Sequence, residues 1–183
     1  MSTVSTASSS VVDRLPPWVG RILTPERRRF IKFIMVGGSG VVVNLAVVHL
    51  TSRWLFAGVQ PSRFGSFGVI DWAEMLALLS GIFVSIFSNF LINDNWTWRD
   101  RAKRPGVQDW LRRLVEYYVT NGMAAGVQFA TAWAAFSIGV FRTSVFGVDL
   151  EPHQTVLASL VGIVVATPLN YVINNLWTFR DRE

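Results

Sequence analysis

Long apolar runs separated by short polar segments dominate the chain. Crossing the roughly 30 Å hydrocarbon core of a bilayer takes about 20 mostly apolar residues in a helix. Four segments reach that length: Phe33 to Ser52, Trp72 to Ile92, Leu114 to Phe141, and Thr155 to Ile173. Apolar and polar residues do not alternate as they would in a membrane barrel, so the pattern predicts helices. We therefore expect an all-α integral membrane protein with four transmembrane helices.

Two sequence signals predict where helices begin. Thr24 followed by Pro25 is typical of an N-cap and a first helical residue, and Asp71 stands three residues before Glu74, as in a capping box. We expect residues 1–29 to form a cytoplasmic tail that is partly disordered and contains a short basic helix. Residues 30–183 are expected to form the four-helix membrane domain.

The chain contains an internal repeat. Residues 76–101 align without a gap on residues 157–182 at an offset of 81, and 14 of the 26 positions are identical. The first and third spans align more weakly at an offset of 84, which pairs Asn44 with Gln128. Each repeat, about 28–101 and 112–182, holds two spans, so both enter the membrane from the same side. The sequence predicts two tandem, parallel two-helix repeats.

Basic residues predict the orientation. Of the 17 Lys and Arg residues, 14 lie in the N-terminal flank, the middle loop and the C-terminal tail, and three lie in the outer loops. The positive-inside rule then places both termini in the cytoplasm. The same placement accounts for the net charge of +5 by topology and attraction to anionic membrane lipids. We expect no nucleic-acid partner.

Composition excludes several kinds of chemistry. The chain has no cysteine and two histidines, which removes thiolate metal sites, disulfides and cysteine nucleophiles. We find no nucleophile and base pair and no acidic magnesium motif. We therefore expect no catalytic residues, no metal, no cofactor and no enzymatic activity.

Several motifs resemble those of the GtrA-like family of small four-span membrane proteins. They are Arg29-Phe30-Ile31-Lys32-Phe33, Val36-Gly37-Gly38, Asn44, Ser88-Asn89-Phe90-Leu91-Ile92-Asn93 and Trp96-Thr97-Trp98. The resemblance covers roughly residues 30–182. It implies multi-pass insertion in the cell inner membrane and a role in cell-surface polysaccharide synthesis. The family commonly has a basic residue after the second Asn of its motif, where this chain has Asp94 and Asn175.

The resemblance implies a translocase, or flippase, for polyprenyl-phosphate-linked sugars, or an auxiliary of one. The alternative is a non-catalytic membrane anchor that recruits a glycosyltransferase. The expected partners are a polyprenyl-phosphate sugar, membrane lipids and, in the anchor alternative, a glycosyltransferase. Because a four-helix bundle is thin for enclosing a large head group, a homodimer is a further expected possibility.

A polyprenyl-phosphate sugar would require three protein surfaces. The phosphate favours guanidinium groups near the membrane interface, and four arginines follow the Trp-Thr-aromatic motifs: Arg99, Arg101, Arg180 and Arg182. They would contact phosphate, or else set topology and pair with Asp100 and Asp181. Small residues along the spans would accommodate the apolar tail, or simply allow close helix packing.

The sugar favours amide and aromatic side chains. Six amides are candidates for lining its path: Asn44, Asn89, Asn93, Gln128, Asn170 and Asn174. Because an amide in a span must find a partner, bonding between helices is the alternative reading. Trp96 and Trp177 could form an aromatic mouth on the cytoplasmic side, or belong to an ordinary aromatic belt.

Overall fold

The computed structural model describes residues 24–63, 69–139, 144–145, 148–149 and 154–181. Four long helices fill most of these ranges: α1 (Pro25–Leu50), α2 (Trp72–Ile92), α3 (Val107–Ser137) and α4 (Gln154–Ile173). Three apolar helical stretches are long enough to cross a membrane: Pro25–Leu55, Trp72–Thr97 and Gln154–Thr178. The chain is thus a helical membrane protein.

Helix starts follow the predicted caps. The Thr24 side chain accepts a hydrogen bond from the Arg27 amide at 3.4 Å, and Pro25 opens α1. The Asp71 carboxylate accepts one from the Glu74 amide at 3.1 Å at the start of α2. Both caps are confirmed. The basic segment is not a separate short helix, however, because α1 runs without interruption through position 29.

The predicted spans match the helices unevenly. The bounds of α2 are those expected, and α4 starts one residue before Thr155. The helix bounds differ from the third predicted span: α3 begins at Val107, seven residues before Leu114, and ends at Ser137 rather than Phe141. The residues before Leu114 are too polar to belong to an apolar segment, yet they are helical. The stretch from residues 1 to 23 lies outside the described residues, as does Arg182.

Two very short strand pairs were not expected. β1 (Ser62–Arg63) pairs antiparallel with β2 (Val69–Ile70) between α1 and α2. β3 (Ser144–Val145) pairs antiparallel with β4 (Val148–Asp149) between α3 and α4. Each strand has two residues, so the pairs join helices and add no sheet layer.

Three helices are followed by a five-residue π-helical segment, in which the backbone hydrogen bonds join residues i and i+5. The segment after α1 is Thr51–Leu55, the one after α2 is Asn93–Thr97 and the one after α4 is Asn174–Thr178. The Trp98 amide donates to the Asn93 carbonyl at 2.9 Å, and the Phe179 amide donates to the Asn174 carbonyl at 2.8 Å. The last two segments therefore begin and end at positions 81 residues apart.

The helices pack as two hairpins, α1 against α2 and α3 against α4. The hairpins meet through contacts of α2 with α3 and of α1 with α4. Near the ends that carry the last two π segments, Phe90 packs on Tyr117 and Phe33 packs on Tyr171. The buried aromatic core lies there: Phe33, Phe90, Trp98, Tyr117 and Phe179. Many large apolar side chains elsewhere are exposed, with Val42 at 69% and Val164 at 70%. Such a surface suits lipid contact.

Candidate functional site

Three of the predicted amides pack on glycines inside the hairpins. A methyl group at Gly40 would overlap the Asn89 amide, one at Gly81 would overlap the Asn44 side chain, and one at Gly162 would overlap the Gln128 backbone. The absent side chains let the helices approach closely. The Oδ1 atoms of Asn44 and Asn89 are buried and accept no hydrogen bond from any described residue.

Two other amides form hydrogen bonds, although the buried Oδ1 of Asn174 accepts none from any described residue. Asn93 donates to the Tyr117 hydroxyl at 2.8 Å and accepts from the Thr97 hydroxyl at 2.7 Å. Asn174 donates to Asn170 Oδ1 at 2.8 Å. Only 1% of Asn93 and none of Asn174 is exposed. Asn93 therefore connects its π segment to Tyr117 of the core, Asn174 bonds back to α4, and the nearby Trp96 is 38% exposed.

A cleft of about 220 Å³ lies between the hairpins. Asn170 lines it, and its amide donates to Asn121 Oδ1 at 3.3 Å. Gln128 lines it as well, and Ile86 of α2 forms part of the opposite wall. The structure thus brings together the amides of the second hairpin, whereas Asn44 and Asn89 pack within the first.

The predicted arginines have different surroundings. Arg101 forms an ion pair with Asp181 at 2.6 Å and donates to Asn175 at 2.9 Å. Arg180 donates to the Trp177 carbonyl at 2.9 Å and lies 3.9 Å from the Glu116 carboxylate. Arg99 lines a separate cleft, described next. Their contact with phosphate stays a prediction.

A second cleft, of about 170 Å³, separates the start of α1 from the end of the first repeat. We call it the basic cleft, and eight residues line it: Pro25, Arg28, Arg29, Lys32, Trp96, Thr97, Arg99 and Asp100. Four of these side chains are cationic and one is a carboxylate. The predicted site had included Arg99 and Trp96 but not Lys32. The spacing of Arg28 and Lys32, which are neighbours on one helical face, was the signal for it.

The cations of the basic cleft are only partly paired. Arg29 contacts Asp100 at 2.5 Å, and the Lys32 ammonium lies 5.2 Å from the centre of the Trp96 ring. The Arg28 Nε atom is buried and donates to no described residue. Burial opposes ionisation of Asp100, but the hydrogen bond from Arg29 and the nearby charges lower the pKa of that carboxyl. The cleft therefore keeps an excess of positive charge.

A buried ion pair joins the two hairpins beside this region. Arg113 at the start of α3 contacts Asp94 at 3.1 Å, and both side chains are over nine-tenths buried. Lys103 lies 3.1 Å from the same carboxylate, and Asp109 also pairs with Arg113. Asp94 thus neutralises basic side chains from the middle loop and α3.

Sequence comparison places this arrangement in a known family. Residues 32–179 match the family described as the GtrA/DPMS transmembrane domain. The chain belongs to this family. The match includes both hairpins and both Trp-Thr-aromatic motifs, and it confirms the resemblance found in the sequence.

The chain is also similar to a longer protein. It is 29% identical over 161 residues to a protein named dolichol-phosphate mannosyltransferase from Pyrococcus furiosus. The match covers 88% of this chain but 35% of that relative. The chain therefore spans about a third of the relative's length.

Proposed function

We propose that this protein handles a polyprenyl-phosphate-linked sugar in the cell inner membrane, as a translocase or as the auxiliary of one. The observation that carries the proposal is the basic cleft, which lies at the end of two apolar helices that are long enough to span a membrane. The phosphate of a membrane lipid lies at the membrane surface, where spanning helices end. Guanidinium groups bind phosphate oxygens strongly. The name of the relative supports the same class of lipid.

The proposal includes a four-span topology. With about 1.5 Å of rise per residue, α3 is roughly 46 Å long, which exceeds the hydrocarbon core. Its first turns carry the charges of Arg112, Arg113 and Glu116, and its later turns carry no charged residue. We place both termini in the cytoplasm and relate the two hairpins by an approximate two-fold axis along the membrane normal.

Matched contacts support this repeat. Phe33 lies 5.7 Å from Trp98, and Tyr117 lies 5.8 Å from Phe179, both in edge-on geometry. The offsets of 84 and 81 convert the first pair into the second. Arg29 contacts Asn175 at 3.5 Å, and its counterpart Arg113 contacts Asp94. An approximate two-fold arrangement would produce such pairs.

The remaining ligand surfaces follow from the clefts. The sugar would pass the amides of Gln128 and Asn170 in the cleft between the hairpins, since hydroxyl groups exchange hydrogen bonds readily with amides. The polyprenyl tail would lie in an apolar cleft of about 490 Å³ that includes Leu79, Phe83 and Tyr118. The proposal assigns no enzymatic step to these residues.

The second candidate is an anchor that recruits a glycosyltransferase. One observation favours it: the chain matches about a third of a protein whose name is that of a transferase. A separate membrane domain could hold such an enzyme close to its lipid substrate. In that role the basic middle loop and the α3 start would contact the partner.

Reconstitution tests the two candidates. Purified protein in liposomes is expected to accelerate the transbilayer movement of a polyprenyl-phosphate mannose above the rate in protein-free liposomes. Asn170→Leu should reduce that rate, whereas Asn95→Leu, which alters an exposed amide in the π segment after α2, should not. Unaccelerated movement together with retention of a glycosyltransferase on the immobilised chain would favour the anchor.

A further inference from the structure

The two repeats do not have the same charge where their helices begin. The offsets of 84 and 81 relate the basic cleft to a second group of residues, in which Arg28 becomes Arg112 and Arg99 becomes Arg180. Two pairs of equivalent positions differ by a carboxylate: Asp109 replaces Pro25, and Glu116 replaces Lys32. In addition, Arg113 contacts Asp94, whereas its counterpart Arg29 contacts Asn175, the residue equivalent to Asp94. The second group therefore carries negative charges that the basic cleft lacks.

Glu116 acts as an internal anion for the second group. Its carboxylate lies 3.0 Å from Arg112 Nε and 3.9 Å from Arg180 Nη2, and its side chain is only 7% exposed. Asp94 and Asp109 both contact Arg113. Each arginine of the second group thus has a carboxylate beside it.

The basic cleft has the same donors without the anion. Arg28 Nε, the counterpart of Arg112 Nε, is buried and donates to no described residue. Lys32 occupies the position of Glu116 and points toward Trp96. The Asp100 carboxylate pairs with Arg29 and not with Arg28. A buried guanidinium nitrogen without an acceptor costs free energy, and an anion placed as the Glu116 carboxylate is in the second group would satisfy it.

We propose that the basic cleft binds a single phosphate group, that of a polyprenyl phosphate, and that Glu116 prevents the equivalent position in the second repeat from binding another. The inference rests on the proposed function for the identity of the lipid. Arg28 and Arg99 bind the phosphate as Arg112 and Arg180 bind Glu116, and Lys32 adds a third cation. The chain therefore has one lipid-phosphate site, although its fold is a repeat.

Native mass spectrometry of the full chain in detergent, titrated with farnesyl phosphate, tests the proposal. Wild type is expected to bind one molecule, and farnesol, which lacks the phosphate, is not expected to compete. Arg28→Gln should weaken binding by about tenfold or more, as the loss of a charge-assisted bond would. Arg27→Gln, one residue earlier and outside the cleft, should leave it unchanged. Equal binding by these two variants would overturn the proposal.

Two variants test the role of Glu116. Glu116→Gln should raise the number of bound molecules from one to two, because it frees Arg112 and Arg180. Lys32→Glu gives the basic cleft the residue of the second group and should abolish binding, which keeps the test decisive if Glu116→Gln does not fold. Two molecules on wild type, or one on Lys32→Glu, would contradict the proposal.

Competitors identify the source of the phosphate. Inorganic phosphate should displace farnesyl phosphate only at much higher concentration, and vesicles of phosphatidylglycerol should not displace it. Displacement by either at matched concentration would overturn the assignment to a polyprenyl phosphate. Failure of translocation with intact farnesyl phosphate binding would refute the translocase and leave this site standing.

Discussion

The Trp98 ring stacks on the Phe179 ring with 4.3 Å between centroids and 9° between planes. The two residues occupy the same position in the two copies of the repeated motif, 81 residues apart. Both are essentially buried, at 0% and 1% exposure. The hairpins therefore meet through the residue that follows Trp-Thr in each copy.

Truncation of this stack should destabilise the protein. Trp98→Ala removes a large buried ring, also bonded through Nε1 to Asn175 at 3.1 Å, and substitutions of this kind cost about 3–5 kcal/mol. We expect a clear fall in the thermal unfolding midpoint in detergent, followed by circular dichroism. Trp96→Ala is the matched control, since that ring is partly exposed and should change the midpoint little. Equal shifts would show that the stack does not hold the hairpins together.

The close contact within the second hairpin predicts a contrast between two glycines. Gly162→Ala would place a methyl group against the Gln128 carbonyl, so α3 and α4 must separate. We expect a loss of about 1–3 kcal/mol in unfolding free energy. Gly122→Ala meets no atom within 4 Å and should be neutral or slightly stabilising, because alanine favours helix. A comparison of urea unfolding in mixed micelles checks both, and a neutral Gly162→Ala would refute the close approach.

The buried ion pair predicts a difference between two aspartates. Asp94→Asn leaves Arg113 buried with Asp109 as its remaining carboxylate, which should cost on the order of 3 kcal/mol. Asp100→Asn breaks a pair whose carboxylate is 57% exposed, and such pairs contribute at most about 1 kcal/mol. Thermal unfolding of both variants at neutral pH measures the difference. If Asp94→Asn is as stable as Asp100→Asn, the buried pair does not join the hairpins.

Capping residues and apolar runs could be predicted because they act locally. Asp71 marked the start of α2 correctly, since an N-cap depends only on the residues that follow it. The start of α3 was missed because a search for apolar segments finds only the part of a helix that matches the bilayer core, and the first turns of α3 contain Gln108, Asp109, Arg112 and Arg113.

Long-range partners could not be read from spacing alone. Asn93 and Asn174 are predicted to line the sugar path because helical spacing puts them on the face of Asn89 and Asn170. Spacing does not show what that face packs against: Asn93 donates to Tyr117 of the aromatic core, and Asn174 donates to Asn170. The pairing of Arg113 with Asp94 likewise depends on how the hairpins associate, which only the fold specifies.

Acid should weaken the contacts outside the membrane. The Ala102 amide and then Arg101 lower the pKa of Asp181, and Arg29 lowers that of Asp100 despite partial burial. Since folding favours the ionised forms, their contribution is present above the ordinary value of 3.8 and is lost as pH falls below it. Unfolding midpoints between pH 6 and pH 3 should fall less in an Asp100→Asn, Asp181→Asn double variant, and parallel curves would contradict this assignment.

Leucine replacement of Asn89 and Asn170 separates packing from function. Leucine has the same number and branching of side-chain heavy atoms as asparagine, and at position 89 it removes an oxygen that no described residue satisfies, so folding should survive. If both amides line the sugar path, the double variant should lower the translocation rate of a polyprenyl-phosphate sugar by more than the two single changes do together. Small additive losses of rate would instead identify both as packing residues. Because the two side chains lie in different hairpins, additive effects on stability are expected in either case, and only the transport rate distinguishes the two roles.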